Sequence, residues 1–185
     1  VSAPHLVQLA ELARRCATEL ADPVARYAVL VKKTLENGGK LYFAGNGGSA
    51  AHAQHIATEY VVRYRTVWRK AVSAVALSTD SSLLTAAGND LGFEQVFARQ
   101  VEAHGRKGDL LVLISTSGRS ANLLRAAEAA RKVGMPTVGL LGAGGGELAA
   151  LVDLAIVVPS DDTALIQEVQ LAIDHEVCGR VEQGL

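Results

Sequence analysis

The chain has 185 residues, 49% hydrophobic and 20% charged, with a formal net charge of −1. That supplies an ample core for one globular domain and no general attraction to nucleic acid or acidic membranes, so any anion recognition has to be local. Its two cysteines, Cys16 and Cys178, lie in no CxxC pair, no apolar stretch is long enough to span a bilayer, and the N-terminus lacks a signal-peptide core. These features exclude a disulfide scaffold and a thiolate zinc site, and the expectation is a cytoplasmic protein.

In chain order, Pro4 to about Leu20 reads as a helix with Leu6, Leu9, Leu12 and Cys16 near one face. Asp22-Pro23 restarts a helix, since proline is tolerated in a first turn, and Asn37-Gly38-Gly39 stops it. Residues 1–38 thus form an N-terminal helical hairpin, which either builds an oligomer interface or caps the core. Five short apolar strands follow within an α/β core over residues 39–160: Lys40–Ala44, Ala74–Ser78, Leu110–Ser115, Thr137–Leu141 and Ala155–Val158. Their runs are continuous rather than alternating, as in parallel strands buried on both faces. Helical stretches separate them, and a C-terminal helix occupies residues 161–185. The predicted fold is a single α/β domain, a doubly wound five-stranded parallel sheet flanked by helices. Aromatic residues make up only 4%, and Tyr42, Trp68, Phe93 and Phe97 are expected to pack rather than to stack on bases.

Two loops after predicted strands carry anion-binding chemistry. Gly45-Asn46-Gly47-Gly48-Ser49-Ala50 follows the first strand, and Ser115-Thr116-Ser117-Gly118-Arg119-Ser120 follows the third. Small residues let backbone N–H groups approach an anion, the positive end of the following helix favours it, and hydroxyls add donors. Ordinary N-capping needs one hydroxyl, whereas the second loop has four in six residues. The first loop also fits the dinucleotide pattern GxGxxG/A, but about 20 residues on the chain reads Arg63-Tyr64-Arg65-Thr66, with no acidic partner for a ribose. Ligands collect at the carboxyl ends of the strands in such sheets, so the two loops are expected to be neighbours in space.

On the helix opened by the first loop, His55 and Glu59 are spaced i, i+4 and share a face. Gln167, Leu171 and His175 form one row on the C-terminal helix. If the two helices meet, His55, Glu59, Gln167 and His175 make a set of imidazole, carboxylate and amide donors that suits a borderline divalent ion such as zinc. Spacing alone leaves that meeting open and leaves His52 outside the site. Asn89-Asp90, in the turn Gly88-Asn89-Asp90-Leu91-Gly92, reads as a helix stop and cap, or as a contact for sugar hydroxyls. Arg63, Arg65, Arg69 and Lys70 are expected as a solvated edge, with Arg63 near enough in sequence to line a pocket. A phosphate site beside proton-transfer or metal-binding groups points to an enzyme acting on a small phosphorylated metabolite.

Together, Gly45-Asn46-Gly47-Gly48-Ser49, Gln54-His55-Ile56-Ala57-Thr58-Glu59, Gly88-Asn89-Asp90, Ser115-Thr116-Ser117-Gly118 and Ile166-Gln167-Glu168 resemble the SIS (sugar isomerase) domain. More narrowly, they resemble the bacterial sedoheptulose 7-phosphate isomerases, also called phosphoheptose isomerases, over nearly the whole chain. The resemblance implies interconversion of sedoheptulose 7-phosphate and D-glycero-D-manno-heptose 7-phosphate by a homotetramer with active sites at subunit boundaries and one zinc ion per subunit. It implies zinc ligands at His55, Glu59, Gln167 and His175, and an acid–base pair of Glu59 and His175. Substrate contacts are implied at Asn46, Gly47, Gly48, Asn89, Asp90, Ser115, Thr116, Ser117 and Ser120, and expected also at Ser49, Glu59, Arg63 and Gln167. The chain departs from the pattern at His52, where an acidic residue is common, at Leu165, where Arg or Lys is usual, and at Gln170, often His. Two readings of other classes are a non-catalytic SIS-domain regulator of the replication initiator, which typically lacks the last histidine, and a sugar-phosphate sensor, usually fused to a DNA-binding segment.

Overall fold

The continuous apolar runs become the strands of one parallel sheet. The computed structural model describes residues 3–184. Strands β1 (Leu41–Gly45), β2 (Ala74–Ala76), β3 (Leu110–Ser115), β4 (Thr137–Leu141) and β5 (Leu154–Val157) are arranged in the order β2-β1-β3-β4-β5, every neighbouring pair parallel. Around them lie α1 (Pro4–Glu19), α2 (Ala21–Glu36), α3 (Gly48–Val61), α4 (Ser81–Asp90), α5 (Ala98–His104), α6 (Ala121–Val133) and α7 (Thr163–Glu182). This is the doubly wound architecture the sequence predicts.

Side chains alternate across a strand, so β1 sends Leu41 and Phe43 to one core and Tyr42 and Ala44 to the other. β3 does the same with Leu110, Val112 and Ile114 against Leu111 and Leu113. Helices α1, α2, α3 and α7 cover the first face, and α4, α5 and α6 cover the second. β1, β3 and β4 are buried on both faces, which is why they carry no polar alternation, while the edge strand β2 leaves Val75 exposed. Each fully buried Leu or Ile there contributes about 1.5–3 kcal/mol.

Some expectations shift. β1 starts at Leu41 rather than Lys40, whose N–H donates to the Asp109 carboxylate (2.8 Å). β2 stops at Ala76 rather than Ser78, where the Thr79 hydroxyl bonds back to the Ala76 carbonyl (3.0 Å) as the chain turns. β5 runs Leu154–Val157 rather than Ala155–Val158. In the hairpin, Tyr27 and Val31 of α2 are fully buried, whereas α1 buries Leu12 and Cys16 and leaves Leu6 exposed. Only the later turns of α1 lie on the core. Tyr42 and Phe97 pack as expected, but Trp68 is 94% exposed and Phe93 is exposed too, because both sit in connections outside the two core layers.

The strand order turns back between β1 and β3, so the crevice at their carboxyl ends is the topological switch point, and both anion loops leave from it. Gln170 seats α7 above that edge. Its buried amide donates to the carbonyls of Leu140 (2.8 Å) and Ser115 (3.3 Å).

Candidate active site

Both loops open helices whose first N–H groups receive no side-chain cap. Gly47 precedes α3 at φ 54, a left-handed conformation that glycine adopts without strain, and Ser120 precedes α6 without turning its hydroxyl onto the helix. The Ser49, Ala50 and Leu123 N–H groups turn back onto the carbonyls of Asn46, Gly47 and Ser120, so the first N–H groups, of Gly48 in α3 and of Ala121 and Asn122 in α6, are the ones left for an anion or water. Asn46 and Asn122 exchange two amide hydrogen bonds (3.0 and 2.8 Å), tying one loop to the other. Ser115 is buried, and its Oγ accepts the Gly118 N–H (3.0 Å), so it shapes the second loop; Thr116, Ser117 and Ser120 are half-buried around it. Gly118 has φ 63, and a Cβ there would stand 1.9 Å from the Gly145 carbonyl oxygen, which bars any larger residue.

About 10 Å along α3 from Gly48, helix α7 brings its own histidine across. His55 Nε2 lies 3.0 Å from His175 Nε2 and 3.5 Å from Glu59 Oε1, and one donor atom from each residue lies within 4.8 Å of the others. Donors held at about 2.1 Å by a tetrahedral ion stand about 3.4 Å apart. Two imidazoles and a carboxylate at these separations therefore fit a borderline divalent cation. His175 is held below the ordinary imidazole range, first by burial and then by neighbouring His55, with the Glu59 carboxylate opposing. Its neutral ring can accept a proton or ligate a metal. Tyr64 stacks on that ring, centroids 5.6 Å apart and planes 19° from parallel.

Gln167 does not join this group within the chain. It lies eight residues before His175 on α7, about 12 Å along the axis, and its amide rests on Gly48, where a Cβ would meet Nε2 at 2.7 Å. Ser49 is buried and Arg63 is exposed. Asn89 and Asp90 lie in the last turn of α4 rather than in a loop, exposed and hydrogen-bonded to each other (2.7 Å). Among the described residues, no hydrogen bond or ion pair joins them to the His55 group. Arg69 leaves the expected solvated edge altogether. Its side chain is 4% exposed and pairs with Glu182 at 3.2 Å, while Arg63, Arg65 and Lys70 stay exposed.

Sequence reasoning missed a polar chain beneath the site. The Tyr27 hydroxyl donates to Asp174 Oδ1 (2.8 Å), and His52 Nε2 stands 2.8 Å from Asp174 Oδ2, off the direction of a good hydrogen bond. Asp174 is fully buried, so α2, α3 and α7 meet at its carboxyl group, one residue before His175, with His52 one turn before His55. The only signal was the i−3 relation of His52 to His55, and its partner comes from a remote helix. Asn122 was missed likewise, although it follows Ser120 by two residues. Burial pushes the Cys178 thiol up to about 12, which removes it as a nucleophile.

Comparison with known proteins places this geometry among relatives. The SIS domain family model matches residues 5–142. The phosphoheptose isomerase of Rhodospirillum rubrum is 52% identical over 90% of this chain and 88% of its own length, and that of Helicobacter pylori is 48% identical over 94% and 90%. Among solved structures, the phosphoheptose isomerase GmhA of Neisseria gonorrhoeae matches with a TM-score of 0.91 at 41% identity, covering 97% of this chain and 96% of that one. A phosphoheptose isomerase from Francisella tularensis matches at 0.93 and 36% identity, covering 97% and 95%.

Proposed function

The chain belongs to the phosphoheptose isomerases, aldose–ketose isomerases built on the SIS domain, and on that premise we propose that it interconverts sedoheptulose 7-phosphate and D-glycero-D-manno-heptose 7-phosphate through an enediol. The observation that carries this reading is the approach of the α7 imidazole to the α3 pair: His175 against His55 and Glu59. In the ketose-to-aldose direction, the Glu59 carboxylate takes a proton from C1, the electron pair forms C1=C2, and the C2 carbonyl becomes the O2 oxyanion. The O1 proton then passes through His175 to O2, and return of the proton from Glu59 to C2, with the O1 electron pair forming C1=O, leaves the C1 aldehyde and restores both groups. Each transfer of this kind is worth about 10²–10⁴ in rate.

His55, Glu59 and His175 would hold the divalent ion, zinc in this proposal. When bound, it supplies Lewis acidity at the carbonyl and enediolate oxygens. Gln167 stands with the first loop of its own chain, so its place as a zinc ligand belongs to a neighbouring copy in a homotetramer. The hydroxyls of Thr116, Ser117 and Ser120 and the leading N–H groups of α6 hold the phosphate, with Ser115 fixing the loop. Asn46, Gly47, Gly48, Ser49, Arg63, Asn89, Asp90 and Gln167 complete the sugar contacts. Binding energy from the remote phosphate then orients the reacting carbons.

We place the enzyme in the cytoplasm, since its buried thiols Cys16 and Cys178 are free and suit a reducing compartment. No helix among the described residues is long and apolar enough to cross a membrane. The regulator and sensor readings lose ground because the relatives at about half identity are named isomerases and the last histidine is present. Incubating the purified protein with sedoheptulose 7-phosphate tests the proposal. Formation of the aldose 7-phosphate supports it, and a protein that binds the sugar without converting it returns the case to the sensor reading.

A further inference from the structure

The connection after α3, residues 62–73, has no regular structure until β2, yet one part of it is held firmly. The Glu182 carboxylate, at the end of α7 and with a side chain only 7% exposed, accepts three consecutive backbone N–H groups: Tyr64 (3.3 Å), Arg65 (3.1 Å) and Thr66 (3.1 Å). It also accepts Arg69 Nε at 3.2 Å. The same guanidinium donates through Nη2 to the Glu59 carbonyl and through Nη1 to the Lys70 carbonyl (2.8 Å). One buried ion pair thus fastens the loop at both ends, to α7 and to the residue of α3 that carries the active carboxylate.

What the loop presents is the Tyr64 ring. It lies nearly parallel to the His175 imidazole, with the Arg65 guanidinium 5.2 Å from its centroid. Gly179, one turn beyond His175 on α7, keeps the helix surface flat under the ring; a Cβ there would touch Tyr64 Cε1 at 3.6 Å. An imidazole turns freely about two side-chain torsions unless something walls it in. Tyr64 walls one face of His175, and His55 meets its edge.

We propose that Tyr64 is a positioning residue for the active site, with Glu182 and Arg69 as its anchor: the clamped loop fixes the ring orientation of His175. A carboxylate serves because it alone takes several N–H donors at once while neutralising a buried arginine. The inference rests on the reading of His175 as the acid–base group, so its test needs one readout that does not depend on turnover.

Four variants suffice: Tyr64→Phe, Tyr64→Ala, Glu182→Gln and the double variant Tyr64→Ala/Glu182→Gln. Turnover of sedoheptulose 7-phosphate should be near wild type for Tyr64→Phe, which keeps the stacked ring. kcat should fall about tenfold for Tyr64→Ala, with KM changed less than twofold, as a transition-state loss does. Glu182→Gln should fall similarly, and the double variant no further than Tyr64→Ala. Losses that multiply in the double variant would overturn the anchor, and full kcat in Tyr64→Ala would overturn the whole proposal. NMR of ¹³C-labelled histidine gives the independent readout. The His175 ring resonance should move by the same amount and direction in Tyr64→Ala and Glu182→Gln, through loss of the tyrosine ring current, and stay in place in Tyr64→Phe. An unmoved resonance in Tyr64→Ala counts against the positioning role even if the protein turns out not to be an isomerase. Should Glu182→Gln fail to fold, Glu182→Asp keeps the charge on Arg69 while withdrawing the carboxylate by one methylene. A wild-type His175 resonance there would equally overturn the anchor.

Discussion

His55 Nε2 and His175 Nε2 stand 3.0 Å apart although 120 residues separate them in the chain. With a carboxylate 3.5 Å from the first, the two imidazole nitrogens make a set of donors whose natural shared partner is a cation. The separations match the edges of a tetrahedral ligand cage. We expect about one zinc ion per subunit in protein purified without chelator, measured by elemental analysis. Stripping it should abolish most turnover, and zinc should restore it. His55→Ala should lose the metal, and a variant that keeps full metal content would remove His55 from the ligand set.

Glu59→Gln keeps the shape of its side chain, His175→Gln keeps a polar group of similar reach, and both withdraw the proton chemistry. Each should lower kcat by about 10²–10⁴ with circular dichroism and melting temperature close to wild type. Near-full activity in either purified variant would refute the role given to that residue.

The sheet was readable because its strands are unbroken apolar runs, as burial on both faces favours, although the edge strand β2 leaves Val75 exposed. The position of the two loops at the strand ends was readable because glycine and hydroxyl residues break the apolar runs there, although Ser115 and Ser117 turn their hydroxyls to the N–H groups of Gly118 and Arg119. The packing between helices was much less visible. Nothing in the local sequence links His52 to Asp174, Asn46 to Asn122 or Arg69 to Glu182, because each pair is made by helices or loops remote in the chain. Arg69 shows the cost of reading charge runs as solvated edges: among four cationic residues, the one that is buried is identified only by a carboxylate near the C-terminus. Asn89 and Asp90 were misplaced for a local reason, since Gly88 does not end α4 and the helix runs on through Asp90.

Ser117 and Asn122 separate two kinds of help at the second loop. Ser117→Ala removes a hydroxyl that the proposal assigns to the phosphate and that accepts the Arg119 N–H (3.3 Å), and it should raise KM several-fold with kcat little changed. Asn122→Ala unties the two loops and should raise KM as well. It should also weaken competitive inhibition by inorganic phosphate, because the N-terminus of α6 would no longer be held against the first loop. Collapsed kcat with unchanged KM in Ser117→Ala would contradict the phosphate assignment.

Glu182 makes stability depend on acid. Burial works to raise its carboxyl, but the N–H groups of Thr66, Arg65 and Tyr64, together with Arg69, outweigh it and hold the group below its ordinary value. The unfolded chain, with an ordinary glutamate near about 4.3, therefore takes up the proton first as pH falls. The stabilisation is complete above that value and is lost as pH drops through the depressed folded value. Urea unfolding should show wild type well above Glu182→Gln at pH 7 and the gap narrowing below pH of about 4. A gap that is constant or widens toward acid would contradict the clamp.

Isomerisation followed by NMR in D₂O tests the account most directly, since it reads the proton that Glu59 is said to carry. With sedoheptulose 7-phosphate and the wild-type protein, we expect heptose 7-phosphate bearing deuterium at C2, picked up while the proton resides on the exchangeable carboxyl, and no product with Glu59→Gln. Absence of the aldose, or an aldose whose C2 hydrogen comes wholly from C1 of the ketose without exchange, would contradict it.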